Sequence, residues 1–211
     1  MDSILKVGVK ALFARAANLI DRESFEQEPN YTGALFGKLH GESVEHEGIV
    51  INFKASITND RGPGSAESIT GIDIGLIVSW EDENGEVKKV KAVLIQAKNH
   101  LYNMSKTDRG DLDAQCQKMA KISDSYAVLD CPYDGSIPTI CQRNKTPPPH
   151  WDIDTKQDLA DYLLDVVMEC NDGDTNPEVI KIAKRADRCI KVKSNGPVPV
   201  YTPTKKSKYK R

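Results

Sequence analysis

Two apolar runs, Gly71-Ile72-Asp73-Ile74-Gly75-Leu76 and Leu94-Ile95-Gln96-Ala97-Lys98, flank Glu81-Asp82-Glu83-Asn84-Gly85-Glu86-Val87-Lys88. No other stretch constrains the fold as strongly. Asn-Gly between alternating apolar residues is the strongest short-range hairpin signal, because both residues tolerate the positive φ that a tight two-residue turn requires. With Asn84 and Gly85 as that turn, paired positions sum to 169, which sets Glu81 opposite Lys88 and Asp73 opposite Gln96. Directly opposed residues share a face with Cβ atoms about 4.5–5.5 Å apart. Lys98, two residues beyond Gln96, projects from the same face. The other face reads Ile72, Ile74, Leu76, Val78 and Trp80 against Val93, Ile95 and Ala97, a core-facing set of β-branched, aliphatic and aromatic residues. One face of the hairpin is therefore expected to be core, and the other to end where an acid, an amide oxygen and an ammonium converge. A bulge would shift this register.

Around the hairpin, Ile4 to Leu19 carries apolar residues at helical spacing (Ile4, Val7, Leu12, Phe13, Ala16, Ile20) and ends at the charged Asp21-Arg22-Glu23. Pro29 suits the first turn of a second helix, with Tyr31, Leu35, Phe36 and Leu39 as its buried stripe and Gly41 as its stop. Glu28 then lies at the helix N-terminus. Gly48 to Ile57 alternates as a strand, and Asn59 to Ser65 is a loop by its turn residues. Tyr102 to Asp111 reads as a polar, mobile connection, Leu112 to Ile122 as a helix, Ser125 to Leu129 as a strand, and Ile140 as the start of another. Pro147-Pro148-Pro149 reads as a stiff break in polyproline conformation. Helical periodicity returns over Asp158 to Cys170, with Gly173 as a stop, and a last helix is expected from Pro177 to about Ile190. There is no internal repeat.

With 211 residues and 39% hydrophobic content the chain can bury a sizeable core. The apolar stretch Val7 to Ile20 is interrupted by Lys10 and Arg15, which excludes a signal peptide or membrane span there, and a cytoplasmic location is expected. Five cysteines, odd in number and without C-x-x-C spacing, argue against a disulfide framework or a zinc knuckle and for reduced packing residues. Charge is unevenly placed: residues 181–211 hold eleven Lys/Arg against one Asp, and the other 180 residues hold eighteen against thirty acids. A tail containing Lys205 and Lys206 could neutralise phosphates in a salt-dependent, sequence-independent way.

The ordered set Glu28, Asp73 and Gln96-Ala97-Lys98, followed by Asp111-Leu-Asp-Ala-Gln115-Cys-Gln-Lys118-Met119, resembles the PD-(D/E)XK superfamily of restriction-endonuclease-like nucleases, in its Q-x-K subset. The resembling part runs from about Glu28 to Met119. In that family an N-terminal helix supplies a Glu, the first hairpin strand an Asp and the second strand the (D/E/Q)-x-K, and in many members a Gln-bearing helix follows. The resemblance implies an α/β fold: a central mixed β-sheet flanked by helices (α/β/α), with additional C-terminal helices. It divides the chain into a nuclease-like core over 1–150, a helical extension packing on it over 151–195 and a basic tail over 196–211. It also implies a Mg²⁺- or Mn²⁺-dependent hydrolase acting on nucleic acid, double-stranded DNA above all. Such members are frequent in bacterial anti-phage defence, so an effector role, a homo-oligomer and a sensor domain or partner protein are further expectations. No membrane partner is expected.

Phosphodiester hydrolysis needs a metal to neutralise the scissile phosphate and to lower the pKa of an attacking water. Mg²⁺ prefers hard oxygens and often keeps several waters with one or two carboxylates. Asp73 and Gln96 are the first candidates as ligands. Because Gln96 offers only a neutral oxygen, another carboxylate is expected: Glu28, with Glu26 and Glu67 as rivals. Lys98 would orient the attacking water or stabilise charge on the phosphate, and Gln115, Lys118, Lys205 and Lys206 are candidate substrate contacts. His40, His46, His100 and His150 show no ligand-like spacing. The alternative is a nucleic-acid-binding or scaffold module that keeps the fold without turnover.

Overall fold

A computed structural model describes residues 1–58 and 69–199. Helix α1 (Ser3–Asn18) starts where the Asp2 carboxylate accepts hydrogen bonds from the Ile4 and Leu5 amides at 2.8 and 3.2 Å, satisfying two of the donors a helix start leaves open. Its buried stripe is Leu5, Val9, Leu12, Phe13, Ala16 and Ala17. Ile4 and Val7, expected inside, are 56% and 67% exposed, because the stripe at i, i+4 and i+7 runs through Leu5 instead. Helix α2 (Glu28–Leu39) has Pro29 in its first turn and buries Tyr31, Leu35, Phe36 and Leu39, and Gly41 just beyond it has φ +85°.

Strands β1 (Ser43–His46), β2 (Ile49–Ile57), β3 (Ile74–Glu81), β4 (Val87–Asn99), β5 (Tyr126–Cys131), β6 (Thr139–Gln142), β7 (Gln157–Asp158) and β8 (Arg188–Ser194) form one sheet in the order β1-β2-β8-β3-β4-β5-β6-β7. The sheet is mixed: β8 runs parallel to β3 and β5 parallel to β4, while the other pairs are antiparallel. Helix α3 (Lys106–Ala120) connects β4 to β5, and α5 (Pro177–Lys184) precedes β8. Between them α4 (Leu159–Asp161) continues into a π-helical turn, Tyr162–Val167, in which the Met168 amide donates to the Leu163 carbonyl five residues back.

Both faces of the sheet are covered. Leu76, Val78, Trp80, Val93, Ile95 and Ala97 pack against α1, α2 and the segment from Leu159 to Met168. Ile77, Ala92, Leu94 and Val128 pack against α3 and α5, so the protein is an α/β fold with helices on either side. Ile72, expected with the first set, lies in the second cluster, because the backbone turns at Gly71 (φ +75°) before β3 begins. The hairpin face expected to end in a polar cluster is along most of its length a second core.

The register of 169 holds from Ile74↔Ile95 through Trp80↔Lys89 and fails at the turn. The turn has three residues rather than two: Gly85 (φ +78°) donates to the Asp82 carbonyl at 2.9 Å, and Asp82 and Glu86 are bridged by a 2.9 Å backbone bond. That loop alone would set a sum of 168, and a bulge between Trp80 and Glu81 restores the missing residue. Glu81 therefore pairs Val87, not Lys88; Lys88 reaches Asp82 and Glu86, and Glu81 meets Lys193 at 2.5 Å.

Three other expectations are corrected. Tyr102 to Asp111 is not a mobile connection: a 3₁₀ turn, Leu101–Asn103, leads into α3, which starts at Lys106 with Ser105 capping it. The Pro147–Pro148 and Pro148–Pro149 bonds are cis, unlike a polyproline helix. The helix expected to reach Ile190 ends at Lys184, and Arg188–Ser194 is a strand inside the sheet. Residues 151–195 are accordingly not an extension laid on a finished core, since β8 separates β2 from β3.

Helix α5 crosses β3 at Gly75, where a Cβ would stand 1.9 Å from the Ala183 carbonyl oxygen. Gly75→Ala is expected to destabilise by about 3 kcal/mol, the upper end of overpacking costs, since backbone must move; urea denaturation measures this. Burial pushes the thiols of Cys116 and Cys141 up to about 12 and that of Cys189 up to about 11, and it raises Cys131 as well. These four should resist alkylation at pH 8 in the native protein and react only on unfolding, as peptide mass mapping would read.

Candidate active site

Asp73 lies immediately before β3 and is 3% exposed. Its amide donates to the Ile95 carbonyl at 3.0 Å, extending the β3–β4 ladder by one residue and bringing its side chain against Gln96. One carboxylate oxygen, Oδ2, accepts from Gln96 Nε2 and from the Ala97 amide, the latter at 2.9 Å. The other, Oδ1, lies 3.6 Å from Arg188 Nη2, with the two side chains 4% and 7% exposed. Strand β8 brings this cation in: Arg188 pairs Ile74 in the parallel ladder, and its amide donates to the Asp73 carbonyl at 3.1 Å. A buried carboxylate needs such company, because desolvating an isolated charge costs far more than any packing gain returns.

Asp73 and Gln96 are in contact as the register requires, but the amide turns the opposite way from expectation. Gln96 presents its NH₂ to the carboxylate, since two acceptor oxygens would repel, and Gln96 Oε1 is left buried with no hydrogen-bond partner among the described residues. Helix α3 closes over this point. Gly71, two residues before Asp73, touches it so closely that a Cβ there would be 2.5 Å from the Gln115 carbonyl oxygen. Gln115 is thus a packing neighbour of the Asp73 turn, and Lys118 lies one turn further along α3.

Glu28 and Lys98 open into one pocket of about 420 Å³ with Asn99, His100, Asp108 and Asp111. Glu28 comes from the first residue of α2, Lys98 from the end of β4, and the two aspartates from the start of α3. Glu26 is exposed, and its backbone carbonyl accepts from Asn99 Nδ2 and the Tyr133 hydroxyl. Glu67, Lys205 and Lys206 lie outside the described residues. Among those described, no three His, Cys, Asp or Glu side chains are grouped so as to hold a metal ion. Of the three expected ligands Glu28 alone lines the pocket; Asp73 is 3% and Gln96 0% exposed, and neither lines it. Glu28 by itself suits a hard cation that keeps most of its waters, and no closed protein cage forms among the described residues.

Sequence reasoning missed Arg188, Asn99 and Asp108, and it gave no role to His100 or Asp111. The aspartates had a signal, for they lie in the first turns of the helix that carries Gln115. Arg188 had none, being remote in sequence and within a stretch that reads as helix.

Asp73→Ala should destabilise by about 3–5 kcal/mol, the cost of leaving the buried Arg188 unpaired. Adding Arg188→Leu to it should return part of that loss, a non-additivity that a double-mutant cycle in urea would measure. Compared with protein-family models, curated proteins and solved structures, the chain matches none.

Proposed function

We propose that this chain is a metal-dependent nuclease with a restriction-endonuclease-like core, hydrolysing phosphodiester bonds in DNA as an endonuclease. The observation that carries this reading is the opening of Glu28 and Lys98 into one pocket, with Lys98 two residues along β4 from the Gln96 that holds Asp73. Further support comes from the chain order: a helix beginning at Glu28, a hairpin carrying Asp73 and Gln96-Ala97-Lys98, then a helix carrying Gln115, as in the family that the sequence resembles. A role as effector in anti-phage defence rests on that resemblance.

Glu28 would hold Mg²⁺ or Mn²⁺ at the pocket, with Asp73 and Gln96 completing the set once they turn out of their buried pairing; when bound, the ion would neutralise the scissile phosphate and acidify an attacking water. The chain's own residues do the rest. Lys98, fixed by the strand at the pocket wall, hydrogen-bonds the attacking water or the phosphate oxygen on which charge develops. Asp73 is held in one orientation by the Ala97 amide and the Gln96 NH₂, with its second oxygen facing Arg188. Two cuts across a duplex require two such sites, which favours a homo-oligomer.

A second reading is favoured by one observation, the Arg188–Asp73 ion pair, because a guanidinium already neutralises the acid a metal would need. In that reading the chain is a nucleic-acid-binding or scaffold module without turnover. Plasmid cleavage at low salt with added Mg²⁺ or Mn²⁺ decides between them. The nuclease reading expects cleavage by the wild type, lowered at least about 100-fold by Lys98→Ala with the thermal midpoint unchanged. Cleavage that survives Lys98→Ala, or none from the folded wild type with either metal, would sink it.

A further inference from the structure

Four side chains stand in a column whose last member, His100, lines the pocket. The Arg22 guanidinium carbon lies 4.2 Å from the ring centroid of Tyr31 and 4.2 Å from that of Tyr133. Tyr133 in turn stacks on His100, with centroids 4.3 Å apart and planes 4° from parallel. Two groups at those distances cannot share one face of a ring, so Arg22 and His100 cover opposite faces of Tyr133. The column therefore runs Tyr31, Arg22, Tyr133, His100, from a fully buried phenol through a buried guanidinium to a ring 41% exposed, and ends on the exposed imidazole.

Polar contacts fix the column in place. Arg22 Nη2 donates to Asn99 Oδ1 at 3.1 Å, and Asn99 Nδ2 donates to the Glu26 carbonyl at 2.9 Å. The Tyr133 hydroxyl donates to the same carbonyl at 2.9 Å. His100 itself sits in the left-handed region at φ 52° and ψ 61°, a conformation that a side-chain-bearing residue keeps only where its surroundings impose it. His100 lines the same pocket as Lys98, two residues before it.

We propose that the outer face of His100 is a stacking platform for one unpaired nucleobase of a nucleic-acid strand whose adjoining phosphate meets Lys98. This rests on the nuclease reading for the class of partner. A flat ring face and an ammonium lining one pocket match the two halves of a nucleotide, and stacking on aromatic side chains is how sequence-tolerant binding to single strands is achieved. Bases inside a duplex have both faces covered, so the platform selects a single strand, a frayed end or a base swung out of the stack. The buried Arg22 behind Tyr133 holds that ring flat against His100, so that the platform is rigid before the base arrives.

The test uses short single-stranded oligonucleotides carrying 2-aminopurine, whose fluorescence is quenched on stacking, with EDTA present so that nothing is cleaved. The wild type should bind and quench. His100→Asn, which tolerates the left-handed backbone but has no ring, should bind roughly 5- to 150-fold more weakly and lose the quench, with an unchanged thermal midpoint. His100→Tyr should restore both. Equal quenching by His100→Asn, tight binding without quenching, or no binding by the wild type each overturns the platform. Because the measurement needs no turnover, the platform can stand where cleavage fails, and metal-dependent cleavage retained in full by His100→Asn would remove the platform while leaving the nuclease reading intact.

Discussion

The Asp73 carboxylate joins three strands that are far apart in the chain, and the centre of the sheet depends on it. It lies immediately before β3; Gln96 and Ala97 of β4 hold one oxygen, and Arg188 of β8 faces the other. A buried acid without these donors would carry an uncompensated desolvation cost, and a buried guanidinium without the acid would carry the same. The hairpin and the inserted strand are therefore mutually required. The arrangement also sets the character of the site, since an acid that neutralises an internal cation has less charge to offer a metal.

The hairpin shows how a correct register can arise from a different turn. A three-residue loop and a bulge at Trp80/Glu81 each displace the pairing by one position, in opposite senses, and the ladder from Ile74 to Trp80 is the one that a two-residue Asn-Gly turn would produce. The apolar alternation enforces this outcome, because a slip by one residue would exchange the faces buried against α1 and α2 for those buried against α3 and α5. Only the end of the ladder changes, and with it the partners of Glu81 and Lys88.

The proposed site is concentrated at the end of β4 and the residue that follows it. Gln96 holds Asp73, Lys98 opens into the pocket, Asn99 anchors Arg22 and Tyr133, and His100 ends the aromatic column. Strand period two sends Gln96 and Lys98 to one side, and the left-handed turn at His100 then redirects the chain into α3. The chemistry proposed for Lys98 and the recognition proposed for His100 thus share one rigid support.

What the sequence determined by itself is what short-range periodicity can carry. The helix starting at Glu28, the strand from Ile49, the β3–β4 ladder and the meeting of Asp73 with Gln96 all follow from apolar spacing, Pro29 and the turn residues. The tertiary structure alone decided the rest. The stretch from Pro177 to about Ile190 reads as one helix, yet Arg188–Ser194 is a strand, because a slot between β2 and β3 lets its apolar residues Cys189, Ile190 and Val192 be buried. The orientation of the Gln96 amide, the Arg188 partner and the column ending at His100 likewise have no local signal. They are set by which charges and rings the folded chain brings within reach of one another.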